Sequence, residues 1–347
     1  MRRFLVLVPL LACFGCNDKV AASKSDPAKS DYEEIMAITV PAMQDGGDLV
    51  AYSDEMRTAW KKREPLVLAY FEKYPEDFRT AELMNEYWQS LMRNDLEDEE
   101  ADRIIAAILK AESASHSEQL KKHAAFWSTF YVTYRNRKDI EKSIELAIQY
   151  TDKYPSDPRG AVLFNFVTLS EFASEDQVKR AFASLSTRYP SSQEGTFSKY
   201  MLGLMGYLHK PFNFSFEDEV TGRTITDESL RGKVIVVDFW ATWCAPCIEA
   251  MPRMKEIYKT FKDRGVEFVG VSLDQPEAQG GRKALLDYVK ANQIPWPQYY
   301  LGGDRTFALD YGVGQIPTVF VVDRQGRIHS VDGYRVLERT LQEMVGS

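Results

Sequence analysis

Cysteine is scarce in this chain of 347 residues: there are four cysteines, and none lies between residues 17 and 243. So low a content excludes a small scaffold held together by many disulfides. Positive charge is not in excess either, because 51 acidic residues outnumber 43 basic ones. The chain is therefore not a globally basic nucleic-acid-binding protein, and we predict no nucleic-acid partner. No stretch reaches the ~20 apolar residues that a membrane-spanning helix needs.

The remaining composition is that of a folded protein with about two domains. Hydrophobic residues make up 44% and aromatic residues 12% of the chain. Aromatic side chains supply buried area that offsets the entropy lost on folding, so this content argues against disorder. The length suggests two domains, because a domain contains roughly 100–200 residues.

The first 16 residues have the pattern of an export signal. Arg2 and Arg3 precede the apolar segment 4–11, which is too short to span a membrane. Cys13 and Cys16 end the signal, and they resemble the lipidated cysteine of bacterial lipoprotein signals. The Leu-Leu-Ala-Cys segment that ends at Cys13 fits that pattern better than the segment that ends at Cys16. The alternative is an ordinary cleaved signal with incidental cysteines.

The segment after the signal, residues 17–30, is small and polar, as expected of a flexible tether. The lipoprotein resemblance implies a lipid anchor on the periplasmic side of a bacterial membrane. Without lipidation, the chain would be a secreted or periplasmic protein. Thiols are not kept reduced by default in that compartment.

Residues 31–208 are predicted to form an all-helical domain, because their apolar residues show helical spacing and little strand alternation. A Tyr-Pro phrase recurs at residues 74–75, 154–155 and 189–190. At each copy the proline would end one helix, and the polar residues after it would cap the next. The last two copies are 35 residues apart, which resembles the tetratricopeptide repeat. That resemblance implies a surface for a protein partner; alternatively, the region packs on its neighbouring domain.

From residue 212 onward the pattern is that of an α/β sandwich. Residues 234–240 form a continuous β-branched and aromatic run, typical of a buried parallel strand, and a second such strand is predicted at 266–273. An amphipathic helix separates the two strands. A terminal hairpin that begins with a strand at 318–322 and a closing helix near 337–345 follow. This order predicts an α/β domain over residues 212–347.

Two cysteines lie where the first of these strands is followed by a helix. Cys244 would occupy the helix N-terminus, where unpaired N–H groups and the helix dipole stabilise a thiolate, the nucleophile of disulfide exchange. Cys247 lies one turn later, so the two sulfurs can form a small disulfide ring. Pro246 is tolerated in a first turn. A zinc site would need two more ligands, of which this domain offers only His329, so we predict no metal and no cofactor beyond the cysteine pair.

This part of the chain resembles the thioredoxin fold, specifically the TlpA/ResA-like membrane-tethered thiol–disulfide oxidoreductases. The resemblance rests on the segment FWATWCAPC at residues 239–247 and the segment GQIPT at residues 314–318. Residues 296–300 lie where this branch of the fold carries an insertion. The resemblance covers residues ~212–347, and the helical region lies outside it.

The resemblance implies roles for single residues. Cys244 attacks and forms a mixed disulfide, and Cys247 resolves it. Asp238 matches the buried acid of thioredoxins, which exchanges protons with the second cysteine, and burial would raise its pKa. Gly270 replaces the lysine that accompanies this acid in thioredoxins. Pro317 matches a cis-proline that faces the cysteines.

Substrate contacts are implied for residues on both sides of the cysteines. The backbone of Ile316 would pair with the substrate chain as a short added strand. Trp243, Ala245 and Pro246 would contribute to the docking surface, with Trp240 packed below it.

The sequence therefore predicts an exported thiol–disulfide oxidoreductase that reduces protein disulfides by dithiol exchange. Its partners would be protein thiols and disulfides and an upstream electron donor or acceptor in the membrane. The Ala-Pro pair between the cysteines does not set the direction of electron flow. The alternatives are a helical-repeat scaffold that uses the thioredoxin module for docking or redox sensing, and a thiol peroxidase, whose cysteine pattern this chain lacks.

Overall fold

The computed structural model describes residues 26–40, 49–92, 96–170, 172–331 and 334–346. The chain divides into two units, of which the first ends at Thr196 and the second begins at Phe197. The division falls within one helix, earlier in the chain than the boundary at residues 208–212 that the change of periodicity predicts. The export signal, including Cys13 and Cys16, lies outside the described residues.

The first unit is helical, as predicted, and its described residues include no strand. Trp60, Trp88 and Trp127 are buried in it. Its helices are α1 (Pro27–Ala37), α2 (Leu49–Lys73), α3 (Phe78–Ser90), α4 (Asp98–Ala114), α5 (Glu118–Arg135), α6 (Ile140–Lys153), α7 (Gly160–Thr168), α8 (Glu175–Arg188) and α9 (Gln193–Met205), the last of which continues into the second unit. Helix α2 packs on α3, α4 on α5, α6 on α7, and α7 on α8, because each helix turns an apolar face toward its neighbours.

The predicted tether at residues 17–30 is wrong at its end, because residues 27–30 form the first turn of α1. Asp26 caps this helix by accepting a backbone N–H of the first turn, and a proline occupies the first helical position. The Nη2 atom of Arg79 also lies 2.6 Å from Asp26 Oδ2. These bonds stabilise a helix where the polar composition alone indicates a flexible chain.

The recurring Tyr-Pro phrase ends one helix and precedes the next at all three of its positions, as predicted. In the second copy, Tyr150 Oη donates to Asp157 Oδ2 at 2.7 Å, and Arg159 Nη2 lies 2.6 Å from the same oxygen. Burial raises the pKa of Asp157, but the bonds from Arg159 and Tyr150 outweigh it and lower the pKa to about 2. The first copy has the same triad of tyrosine, aspartate and arginine. That these hairpins are tetratricopeptide repeats stays a prediction.

The second unit has the thioredoxin fold that the resemblance implies. Its strands are β1 (Ser215–Glu217), β2 (Thr224–Thr226), β3 (Val234–Trp240), β4 (Val266–Ser272), β5 (Gln298–Tyr300), β6 (Thr318–Val322) and β7 (Ile328–Ser330). A five-stranded sheet has the order β5-β4-β3-β6-β7, in which β3, β4 and β5 are parallel to one another, β6 is antiparallel to β3, and β7 is antiparallel to β6. Strands β1 and β2 form a separate hairpin. Helices α10 (Ala245–Phe261), α11 (Gly281–Ala291), α12 (Thr306–Asp310) and α13 (Tyr334–Val345) complete the unit.

Strand β3 is buried along its whole length because both of its faces are covered. On one face, Val236 and Trp240 share an apolar cluster with residues of α10, α11 and α13. On the other face, Phe239 packs on Phe320 and Phe307. The edge strand β5 lies in the segment assigned to an insertion. In the described part of the chain, no helix is both long and apolar enough to cross a membrane.

Candidate redox site

Cys244 and Cys247 form a disulfide at the N-terminus of α10, which follows β3, with 5.3 Å between their Cα atoms. Cys244 is the N-cap residue of α10, and its Sγ accepts the backbone N–H of Cys247 at 3.3 Å. This N–H group and the dipole of α10 stabilise negative charge on Cys244 Sγ when the disulfide is open. Pro246 lies in the first turn, as predicted.

The two cysteines differ in their access to solvent. Cys247 is fully buried, whereas Cys244 is 5% exposed and lies next to Trp243, which is 56% exposed. Ala245 and Pro246 are exposed as well. An incoming sulfur therefore has access to Cys244 and not to Cys247, an asymmetry that fits one attacking and one resolving thiol.

A buried carboxylate holds the loop that precedes Cys244. Asp274 follows β4 and accepts both the N–H and the hydroxyl of Thr242 on Oδ1, at 3.0 and 2.6 Å. The hydroxyl of Ser272 donates to the other carboxylate oxygen at 2.7 Å. Because β3 and β4 are parallel, their C-terminal ends meet at the same edge of the sheet. The bonds between Thr242 and Asp274 therefore anchor the cysteine loop to that edge.

Asp238 is buried, as the strand pattern predicts, and 1% of it is exposed. Its Oδ1 accepts the hydroxyl of Tyr334, the first residue of α13, at 2.7 Å. Its Oδ2 has no hydrogen-bond partner among the described residues. Burial raises the pKa of Asp238 to about 7, and the bond from Tyr334 opposes that rise. The carboxyl group can therefore gain and lose a proton near neutral pH.

The residue that pairs with Asp238 on β4 is Gly270, and Gly270 in turn pairs with Gln298 on β5. A Cβ atom at Gly270 would lie 2.2 Å from Gln298 Oε1, so the amide occupies the space of a side chain at this position. Gln298 is fully buried, and its Oε1 accepts the indole N–H of Trp240 at 3.1 Å. A neutral amide therefore fills the space that a larger residue at position 270 would occupy.

Residues 314–318, the cis-proline loop, connect α12 to β6. The Ile316–Pro317 peptide bond is cis, as the resemblance implies. Thr318 pairs with Phe239 of the antiparallel strand β3. This register places Pro317 at the edge of the sheet from which the chain continues to the cysteines. Ile316 is half-buried and Pro317 is exposed, so both are accessible to a partner chain.

Sequence reasoning misses three contributors to this site, namely Tyr334, Gln298 and the Thr242–Asp274 anchor. Asp274 gives a weak signal, because it directly follows a predicted buried strand. Tyr334 gives none, since it begins a helix 96 residues after the acid that it binds.

The fold and the cysteine pair define the second unit as a thioredoxin-fold domain with a disulfide-bonded CxxC pair at the start of α10. Residues 209–331, less than half of the chain, match the model of the AhpC/TSA family. The chain is 34% identical over 116 residues to the thiol-disulfide oxidoreductase ResA of Bacillus cereus, and 34% identical over 119 residues to ResA of Bacillus subtilis. These alignments cover 33% and 34% of this chain and 63% of each relative, so the chain spans less than two thirds of their length.

Among solved structures, the chain is similar to a putative thiol:disulfide interchange protein DsbE from Chlorobium tepidum. The two are 26% identical with a TM-score of 0.35, and the comparison covers 40% of this chain and 98% of that one. The sequence alignments show that the second unit has ResA-type thiol–disulfide oxidoreductases as relatives, and a helical unit precedes it.

Proposed function

We propose that the protein is an exported thiol–disulfide oxidoreductase that reduces protein disulfides through Cys244 and Cys247. The main support is the cysteine pair at the N-terminus of α10, in which the accessible cysteine caps the helix and its partner is buried. The similarity to ResA supports the same class of activity.

In the proposed reaction, the thiolate of Cys244 attacks one sulfur of the substrate disulfide. A mixed disulfide forms, and the other substrate sulfur leaves as a thiolate that takes a proton from water. Cys247 then transfers its proton to Asp238, and its thiolate attacks Cys244 Sγ, which releases the second substrate thiolate. The substrate has gained two electrons, and the Cys244–Cys247 disulfide remains. An external dithiol donor restores both thiols by the reverse exchange.

The substrate would lie across the exposed surface beside Cys244. An extended chain could pair with the backbone of Ile316 and pack its side chains on Trp243, Ala245 and Pro246. Pro317 would hold this part of the loop open to the substrate. The exposure of these residues supports the assignment.

We also propose that the protein acts on the periplasmic side of a bacterial membrane, held there by a lipid on Cys13 or Cys16. The support is the basic and apolar leader with its terminal cysteines. Metabolic labelling with a radioactive fatty acid tests this. Label that is lost in Cys13→Ser and retained in Cys16→Ser assigns the site, and a wild type without label contradicts lipidation.

Trapping and turnover with the leaderless chain, residues 17–347, test the redox function. The wild type should accelerate the reduction of insulin by dithiothreitol. Cys247→Ser should accumulate mixed disulfides with proteins of a periplasmic extract, because the resolving thiol is absent. Cys244→Ser is the matched control and should accumulate none. The proposal is wrong if the wild type does not accelerate insulin reduction and Cys247→Ser forms no mixed disulfides that require Cys244.

A further inference from the structure

Tyr200 lies on α9, before residue 209, where the family match begins. Its hydroxyl oxygen is 3.1 Å from Thr318 Oγ1 and 3.4 Å from the carbonyl oxygen of Gln315. A Cβ atom built on Gly314 would lie 3.8 Å from the Tyr200 ring, so the ring also packs beside that glycine. Tyr200 therefore contacts both ends of the cis-proline loop.

The distances at this contact favour one direction for its hydrogen bonds, although in the Tyr200–Thr318 pair either hydroxyl can donate. Thr318 Oγ1 lies 2.8 Å from the carbonyl oxygen of Gln315, and a carbonyl can only accept. With its single proton used in this way, the Thr318 hydroxyl accepts the proton of Tyr200 at 3.1 Å, a shorter contact than the 3.4 Å from Tyr200 Oη to the carbonyl itself. The two bonds form a chain from the phenol through the threonine to the loop carbonyl, and bonds in such a chain strengthen each other.

This chain connects the cis-proline loop to two rigid elements. Thr318 is 4% exposed and pairs with β3, the strand that leads to the cysteines. Tyr200 is half-buried on α9. The carbonyl of Gln315 is thereby held next to Ile316, the residue whose backbone would pair with a substrate chain.

We propose that Tyr200 is a positioning residue for protein substrates, because it holds the cis-proline loop in the conformation that pairs with an extended chain. The inference rests on the proposed function, in which the backbone of Ile316 meets the substrate. A small disulfide without a peptide backbone forms no such pairing. Tyr200 therefore acts on the binding of protein substrates and leaves the exchange between sulfurs unchanged.

The test compares Tyr200→Phe with Tyr207→Phe in the leaderless chain. Tyr207 is a matched control, because it lies two residues after the end of α9 and its ring packs on Gly312 and Tyr311. Two substrates are used, insulin and hydroxyethyl disulfide. Loss of one hydrogen bond should lower kcat/KM for insulin by roughly two- to tenfold, mainly through a higher KM. The rate with hydroxyethyl disulfide and the reduction potential of the cysteine pair should equal those of the wild type.

A double-mutant cycle with Thr318→Val sharpens this test. Because Thr318 is the middle of the chain, Tyr200→Phe should have little further effect on insulin in the Thr318→Val background. Additive effects would contradict the bonded chain. A Tyr200→Phe variant that matches the wild type, or that loses activity equally on both substrates, would overturn the inference. A wild type inactive on both substrates would instead overturn the proposed function, and the inference with it.

Discussion

Replacing Asp238 by asparagine should increase the stability of the oxidised protein relative to the wild type as the pH rises. The pKa of this carboxyl is 3.8 in the unfolded chain, and burial raises it to about 7 in the folded protein. Between these values the folded state holds a proton that the unfolded state has released, so the free energy of unfolding falls as the pH rises. Asparagine does not titrate, so the free energy of unfolding of the variant does not fall with pH through this residue.

The size of the effect follows from the two pKa values of Asp238. Each pH unit between 3.8 and about 7 corresponds to 1.36 kcal/mol, which gives about 4 kcal/mol over the whole interval. The asparagine amide would place an N–H₂ group where Oδ2 has no partner in the described part of the chain, at a cost of about 1–3 kcal/mol. That cost does not depend on pH. The difference between about pH 4.5 and pH 8.5 therefore remains about 3 kcal/mol.

Urea unfolding of the oxidised protein at these two pH values measures the difference. Because the chain has two units, pulsed hydrogen exchange of the β3 amides, with every pulse at one common pH, reports on the second unit alone. Asp263→Asn is the control, since this carboxylate is exposed after α10 and its removal should change little. If Asp238→Asn changes the stability equally at both pH values, the carboxyl is ionised in the folded protein as in the unfolded chain, and the reasoning is refuted.

Three further variants test other parts of the structure. Tyr334→Phe removes the hydrogen bond that opposes the effect of burial, so the pKa of Asp238 should rise further. The pH midpoint of the resolving step, measured by stopped flow, should therefore move upward. An unchanged midpoint would contradict this. Thr242→Val should lower the stability of the second unit in urea by about 1.5–3 kcal/mol, because it removes the hydroxyl bond to the buried carboxylate of Asp274. An unchanged hydrogen-exchange profile of the β3 amides would show that the bond from the Thr242 N–H is enough to hold the loop. Asp157→Asn should destabilise the first unit by about 3 kcal/mol, because its largely buried partner Arg159, whose side chain is 12% exposed, loses its counter-charge. A circular dichroism transition like that of the wild type would exclude this.

The parts of this fold that local pattern determines could be predicted from the sequence. Strand β3 is a continuous β-branched and aromatic run, so its bounds and the burial of Asp238 follow from composition. Helical spacing likewise predicts a helical first unit. Contacts between residues that are far apart in the sequence could not be predicted. The start of helix α1 is stabilised by an ion pair between its N-cap Asp26 and Arg79, which lie 53 residues apart, and neither residue predicts the contact with the other.

The same limit applies to the candidate redox site. The cysteines, Asp238 and the cis-proline loop carry local motifs, and a known family shares them. Tyr334 and Tyr200 lie outside those motifs, and the fold alone brings their hydroxyls to the site. Strand β5 is only three residues long, too short for a periodicity to show, so the role of Gln298 beside Gly270 could not be predicted.

The neighbours of Asp238 restrict where its proton can go. Burial raises the pKa of Tyr334, so this phenol stays protonated near neutral pH and serves only as a donor to Oδ1. Gly270 has no side chain, and Gln298, which fills the space beside it, has no titratable proton. Alternation along β3 places the carboxyl on the face that shares an apolar cluster with Cys247, and Oδ2 has no partner among the described residues. Our proposal that Cys247 exchanges its proton with Asp238 therefore needs no lysine, because burial and one phenol bring the pKa of the acid to about 7.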